Sequence, residues 1–295
     1  MIITEILGGL GNQLFEYAHA RFLSLRLKQD LQFDISFFDR YHRKDVYRLD
    51  KFNTNIKIAS DDEIYRIKRK VRKPVILRRI YRKLGGSPYV NSKYHFDNER
   101  IDSCDIETLK YYDDLYISGY FGNQKYFIEI EDVIRKAFTL KKTLNLDNKQ
   151  VLSQIKKSNS VSIHIRRGDY VNNNYFAEIP LNFYHKSVDY IERHYPQSTY
   201  FIFSDDLNWA KENLKLEQKT VFVDINNEST DYMELILMAA CKHNIIANST
   251  FSWWSGWLNN NPDKIVIAPQ KWYNNKETQI SYENGNLVPN NWIKL

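Results

Sequence analysis

At 295 residues, with 43% hydrophobic and 26% charged side chains, the chain has room for one large or two ordinary domains, and its composition excludes an intrinsically disordered protein. The formal net charge of +6 suits a polyanionic ligand such as a nucleotide, and equally an anionic membrane surface or nucleic acid. Cys104 and Cys241 offer neither metal-ligand spacing nor a disulfide framework, no run of about 18 apolar residues occurs, and Met1 to Glu5 lacks the basic lead of a signal peptide, so a cytoplasmic protein is expected.

The chain opens as strand, turn and helix. Ile2 to Leu7 is a short apolar run, broken by Gly8-Gly9-Leu10-Gly11. A helix is predicted to begin near Asn12, a good N-cap type, with Leu14, Ala18, Phe22 and Leu25 at helical spacing. Leu31 to Ile35 is the next predicted strand, which makes the start an α/β unit with its glycine turn at the strand's carboxyl end. The turn is not a dinucleotide fingerprint, because Leu14 stands where the third glycine belongs, and a Walker lysine is missing. Two readings stay open: close backbone approach to a ligand with Asn12 and Gln13 donating hydrogen bonds, or a plain tight turn.

From Asp61 to Lys83 the chain is densely basic, with Arg66-Ile67-Lys68-Arg69-Lys70-Val71-Arg72-Lys73 followed by Arg78, Arg79, Arg82 and Lys83. Pro74 interrupts the block, so two short helices, or a helix and a loop, are predicted. A solvated helical face is the simpler account of Arg66 to Lys83, and peripheral contact with an anionic inner membrane the sharper one. Asp102 to Asn123 reads as mixed strand and turn. Asn145 to Ser160 is polar and lysine-rich, which places the domain boundary there and divides the chain into 1–155 and 156–295.

The second half is more regular. Short buried strands are predicted at Val161 to Ile165, Thr199 to Phe203, Val221 to Val223, Asn244 to Ala247 and Ile265 to Ala268. Helices are predicted between them at Asn182 to His194, Leu207 to Leu214, Asp231 to Cys241 and Ser252 to Asn259. Such alternation means a parallel, doubly wound sheet, and open sheets of this kind bind ligands outside the carboxyl ends of their strands. The loops at those ends carry the unusual residues: His164 with Arg166-Arg167-Gly168-Asp169, then Ser204-Asp205-Asp206, then Asp224 and Asn226, then Asn248-Ser249-Thr250-Phe251.

Residue chemistry suggests roles for them. Arg166 and Arg167 are planar forks matched to a diphosphate. Asn248, Ser249 and Thr250 precede a helix and would cradle an anion at its N-terminus, which is compatible with simple capping. Asp205 and Asp206 repel phosphate and suit a base edge or ribose hydroxyl, or the start of the following helix. A metal held by that aspartate pair is the less expected alternative, because the arginines already supply positive charge.

Taken together, Gly8-Gly9-Leu10-Gly11-Asn12-Gln13-Leu14-Phe15, His164-Ile165-Arg166-Arg167-Gly168-Asp169-Tyr170, Phe203-Ser204-Asp205-Asp206 and Asn248-Ser249-Thr250-Phe251-Ser252-Trp253-Trp254 resemble the α-1,2-fucosyltransferase family, in its order and over nearly the whole chain. The resemblance implies a GT-B-like α/β fold, two Rossmann-like domains facing a central cleft, with acceptor on the first and GDP-fucose on the second. It implies transfer from GDP-β-L-fucose with inversion, without a metal or other cofactor, to the 2-hydroxyl of a galactose in a glycan. No membrane anchor like that of animal members is expected, and the resemblance is to bacterial ones, which decorate surface polysaccharide or mimic host glycans. Carried across, Arg166 holds the β-phosphate, His164 lies against ribose or diphosphate, and Asp205 faces guanine. Ser249, Thr250 and Phe251 cradle the diphosphate, and Asn12 reaches the transfer region. Asp169 is the nearest carboxylate to the arginines and the candidate base, with loop capping as its ordinary alternative. The rival class is a basic nucleotide- or nucleic-acid-binding protein without transferase activity.

Overall fold

A computed structural model describes residues 1–43, 46–71, 94–96, 109, 113–284 and 287–295. The chain forms two compact units, Met1–Lys141 and Lys142–Leu295.

In the first unit, strands β1 (Ile2–Glu5), β2 (Leu31–Asp34), β3 (Tyr94–Phe96) and β4 (Leu115–Ser118) form one parallel sheet in the order β2-β1-β4-β3. Helix α1 (Leu10–Leu27) links β1 to β2. It starts two residues before Asn12, because Gly9 is the extended N-cap residue and its carbonyl already accepts from the N–H groups of Asn12 and Gln13. Gly8 before it has φ +71, a conformation glycine adopts at little cost. Most of α1 is buried, polar Gln13, Glu16 and His19 included, whereas Leu25 of the expected apolar stripe is exposed.

Helix α2 (Ser36–Arg40) follows β2, and α3 (Asp61–Val71) opens with a reciprocal cap: the Ser60 N–H donates to Glu63 and the Glu63 N–H to Ser60 Oγ. The rest of the basic block, from 72 to 83, lies outside the described residues. Within the described part, Arg66 is exposed but Lys68 turns inward to the buried Asp34, 3.0 Å away. The mixed stretch expected over 102–123 contains β4; residues 102–108 and 110–112 lie outside the described residues. Helix α4 (Glu131–Ala137) completes the unit.

In the second unit, β5 (Ser160–Ile165), β6 (Thr199–Ser204), β7 (Lys219–Phe222), β8 (His243–Ile245), β9 (Val266–Ala268) and β10 (Ile293–Lys294) form a parallel sheet in the order β10-β9-β8-β5-β6-β7. That is the doubly wound order of a dinucleotide-binding fold, with β5 at its centre. Alternation along β5 puts Val161, Ile163 and Ile165 into a core with Tyr200, Ile202 and Ile245, and Ser162 and His164 on the opposite face. Five strands and four helices were expected in this half, and each lies within about two residues of its observed place.

The connecting helices are α5 (Leu146–Lys156), α6 (Leu181–His194), α7 (Leu207–Asn213), α8 (Asp231–Ala240) and α9 (Thr250–Leu258), with α10 (Lys276–Asn284) near the end. Helix α10 and strand β10 were not expected. The boundary lies at Lys141/Lys142 instead of 155/156, because α5 packs on α8 and belongs to the second unit. Its buried Asn148 exchanges amide hydrogen bonds with Asn226, at 2.9 and 3.0 Å. Among the described residues, no helix is long and apolar enough to cross a membrane.

Candidate functional site

The chain leaves β5 toward β6 on one side and later returns to β8 on the other. Loops after β5 and β8 therefore diverge and leave a crevice at the sheet's carboxyl edge. The structure brings His164, Arg166, Arg167, Asp169, Asp205, Asp206, Asn248, Ser249, Thr250 and Phe251 to that edge. The Tyr170 hydroxyl donates to the Asn248 carbonyl at 3.3 Å and ties the two loops together. The third expected loop is otherwise engaged: Asp224 pairs with Lys211 at 2.9 Å and Asn226 holds α5.

Arg166 is the centre of the edge. One terminal nitrogen lies 2.9 Å from Asp205 Oδ2 and the other 2.5 Å from Asp169 Oδ1. Burial works to lower its pKa, but Asp205 and Asp169 outweigh it and hold the guanidinium charged. The side chain keeps 34% of its exposure, and so remains open to a ligand. Asp169 does not cap its loop with its side chain; the carboxylate braces Arg166.

Arg167 departs from the expected role. It lies flat over Trp209, 3.8 Å from the ring centroid, and pairs with Glu178 at 2.9 Å and Asp206 at 3.5 Å. Those contacts make it a strut between loops, whereas Arg166 is the arginine left open at the edge. Asp206 caps α7 through the Trp209 N–H, the ordinary reading of a helix start. Asp205 accepts from the Arg167 N–H at 2.8 Å as well as from Arg166, and is therefore the hinge of the arginine loop.

His164 is 5% exposed and its ring lies 5.6 Å from that of Phe251. Burial, reinforced by Arg166, pushes its pKa down to about 3, so it stays a neutral imidazole at any ordinary pH. Its Nδ1 is buried without a hydrogen-bond partner, the kind of group a ligand satisfies. Asn248 fixes the second loop, donating to the Ala177 and Trp272 carbonyls at 2.8 and 3.0 Å. Ser249 is the N-cap of α9 and accepts from the Phe251 N–H. The first turn of α9 thus points its dipole into the crevice, with Thr250 and Phe251 half-buried at its mouth.

Two features escaped the sequence reading. Glu234, in the first turn of α8, has its pKa pushed up to about 8 by burial, and then by Asp231, Asp205 and Asp224. It therefore belongs to the electrostatic environment of the β6 and β7 loops. Beside Arg166, Tyr170 stacks on Phe176 with ring centroids 4.2 Å apart, and Tyr175 and Tyr273 extend this aromatic wall. A polar residue inside an apolar helix was the available signal for Glu234; nothing local marked the wall.

In the first unit the glycine turn sits at the carboxyl end of β1. Gln13 is fully buried and donates to the Gly8 carbonyl at 3.0 Å and the Val46 carbonyl at 2.8 Å, so it holds the turn instead of reaching outward. Glu16 accepts from the Leu7 N–H at 2.9 Å, and burial raises its pKa well above the carboxylate range. Asn12 is half-buried beside Gly8, where a Cβ would come within 2.8 Å of its amide nitrogen.

A family model described as Glycosyl transferase family 11 matches residues 1–295. The chain is 34% identical to the O-antigen biosynthesis glycosyltransferase WbnK of Escherichia coli, over 98% of both chains. It is 30% identical to an α-1,2-colitosyltransferase of Escherichia coli, over 100% of this chain and 99% of the other. The fold is shared with a GDP complex of FUT1 from Arabidopsis thaliana, at a TM-score of 0.53 and 10% identity, over 90% of this chain and 69% of that one.

Proposed function

We propose that this chain, which belongs to glycosyl transferase family 11, moves L-fucose from GDP-β-L-fucose to the 2-hydroxyl of a galactosyl residue, with inversion, during assembly of a surface polysaccharide such as an O-antigen. The observation that carries this reading is Arg166, a charged, accessible guanidinium at the switch point of the second sheet, beside the N-terminus of α9. When the bond from the sugar's C1 to the phosphate oxygen breaks, its electron pair stays on GDP. Arg166 and the α9 dipole stabilise that charge. The acceptor oxygen bonds to C1 from the opposite face and its proton passes to a base, for which Asp169 is the candidate.

Asp205 and Asp206 are engaged by arginines, so the reading includes no metal. The donor diphosphate then lies on Arg166, Ser249, Thr250 and Phe251, with His164 against ribose or diphosphate. The colitosyltransferase relative supports a second reading, in which the donor sugar is colitose. The test is transfer from GDP-fucose and from GDP-colitose to galactose-ended acceptors, with linkage read by NMR and GDP binding by calorimetry with and without EDTA. Metal-independent GDP binding and a 2-linked fucoside support the first reading. A product from GDP-colitose alone moves the donor assignment, and no GDP binding overturns both.

Glu234 takes the base in this proposal. Guanine presents adjacent N–H donors that an ionised carboxylate can accept as a pair. With its pKa pushed up to about 8, Glu234 is mostly protonated at pH 7 and must lose a proton to serve. GDP affinity should therefore rise between pH 6 and pH 8, by roughly tenfold per unit at most, and level off above. Calorimetry across that range checks it: Glu234→Gln should flatten the profile, and an unchanged slope in that variant removes Glu234 from base recognition.

A further inference from the structure

We infer that the carboxyl edge of the four-stranded sheet carries a separate binding site for pyranose hydroxyls, built from Glu5, Ser118 and Arg40. Its ligand is the acceptor glycan, an assignment that rests on the transferase reading above.

The location follows from topology. The chain leaves β1 toward β2 and comes back to β4 on the other side, so the first sheet also has a switch point, between β1 and β4. All three strands end in a polar residue there. Parallel register sets Glu5 beside Asp34 and Thr4 beside Ile117, which puts Ser118 one step further along, against Glu5.

Asp34 and Glu5 are used differently. Asp34 is wholly buried, and it accepts from the Ser36 N–H, the Tyr116 hydroxyl and Lys68 at 2.9, 2.6 and 3.0 Å. That is a structural carboxylate with its oxygens occupied. Glu5 keeps 12% exposure and accepts one bond on each oxygen, from Arg40 and from Ser118, both at 2.7 Å. An ionised carboxylate has about four lone-pair sites, so roughly two remain. Arg40 is 53% exposed and gives Glu5 one of its N–H groups, while Ser118 donates its proton and keeps its acceptor capacity.

Charge selects the ligand class. Glu5 is offset by Arg40, and the buried Asp34 by Lys68, so the set carries no net charge to draw either a phosphate or a cation. A neutral polyol remains, and vicinal hydroxyls both donate and accept, which is what a carboxylate, a hydroxyl and a guanidinium fixed together can match. Exposed aromatic residues lie close in sequence to the set: Tyr41, whose ring packs 4.7 Å from that of Phe37, directly follows Arg40 and is 63% exposed, and Tyr120 lies two residues beyond Ser118 at 49%. Ring faces of this kind suit the apolar C–H faces of a pyranose.

The test measures transfer to lactose, lactose binding by saturation-transfer NMR, and GDP affinity by calorimetry, for wild type, Glu5→Gln, Ser118→Ala and the surface change Tyr41→Ala. The site requires acceptor KM to rise by about tenfold or more in Glu5→Gln, and by less in the other two, with GDP affinity unchanged. Acceptor KM within about twofold of wild type in all three overturns the site and leaves the transferase reading intact. Lactose bound by wild type but not by Glu5→Gln, with no transfer by either, keeps the site and overturns the transferase reading. Wild type that neither binds nor glycosylates lactose or a larger galactoside overturns the site.

Discussion

Replacing Arg166 by alanine should lower kcat by roughly 10²-fold or more at saturating donor, the scale seen when one preorganised charge-stabilising donor is lost. The geometry argues for the upper end. Arg166 is held between Asp169 and Asp205, so its removal leaves two carboxylates facing the proposed place of the diphosphate, with no cation between them. GDP affinity should fall in the same variant, because the repulsion acts on the bound product too. Arg166→Lys should recover part of the loss, since it restores charge but not the planar fork. Steady-state rates with GDP-fucose decide the matter, and near-normal turnover in the alanine variant sinks the assignment. Asp169→Asn then separates the two roles of Asp169. A base is missed in kcat with GDP affinity kept; a brace is missed chiefly in GDP affinity.

The second large effect is expected at Gly168. A Cβ there would sit 2.6 Å from Asp205 Oδ2 and 3.4 Å from its Cγ. Gly168→Ala must therefore push Asp205 away from both the Arg167 N–H and the Arg166 guanidinium. Arg166 then loses one of the two carboxylates that aim it, so GDP affinity should drop by roughly tenfold, the scale of one charge-assisted hydrogen bond. Thermal stability should move little, because the displaced carboxylate is partly solvated and the buried core is untouched. Calorimetry beside a melting curve tests this, and unchanged GDP affinity would show that Asp205 does not set the arginine loop.

The second unit was the more legible in sequence. Its central strands β5 and β6 are β-branched and aromatic runs buried on both faces, and the loops after β5, β6 and β8 turn polar, so pattern alone located the sheet edge. What pattern cannot supply is the partner of a side chain. Arg166 and Arg167 are adjacent and chemically identical, yet a strand end sends them opposite ways: Arg166 stays open between carboxylates, and Arg167 lies on Trp209, which is far away in sequence. Gln13 looked like a ligand donor because its burial under the segment at Val46 is a long-range contact. The domain boundary was misplaced for the same reason. The lysine-rich stretch resembles a linker, but Asn148 within it is fixed to Asn226.

The pairing of Arg166 with Asp169 and Asp205 also bears on which anions the crevice selects. A guanidinium whose charge is already offset by two carboxylates is a weak trap for inorganic phosphate, which those carboxylates repel although N–H groups remain open to it. In the proposed function a nucleoside diphosphate adds contacts at Ser249, Thr250 and Phe251, which offset that repulsion. The ion pairs thus act as a toll on small competitors, and the protein can keep a strongly basic fork exposed in a phosphate-rich solution without filling it.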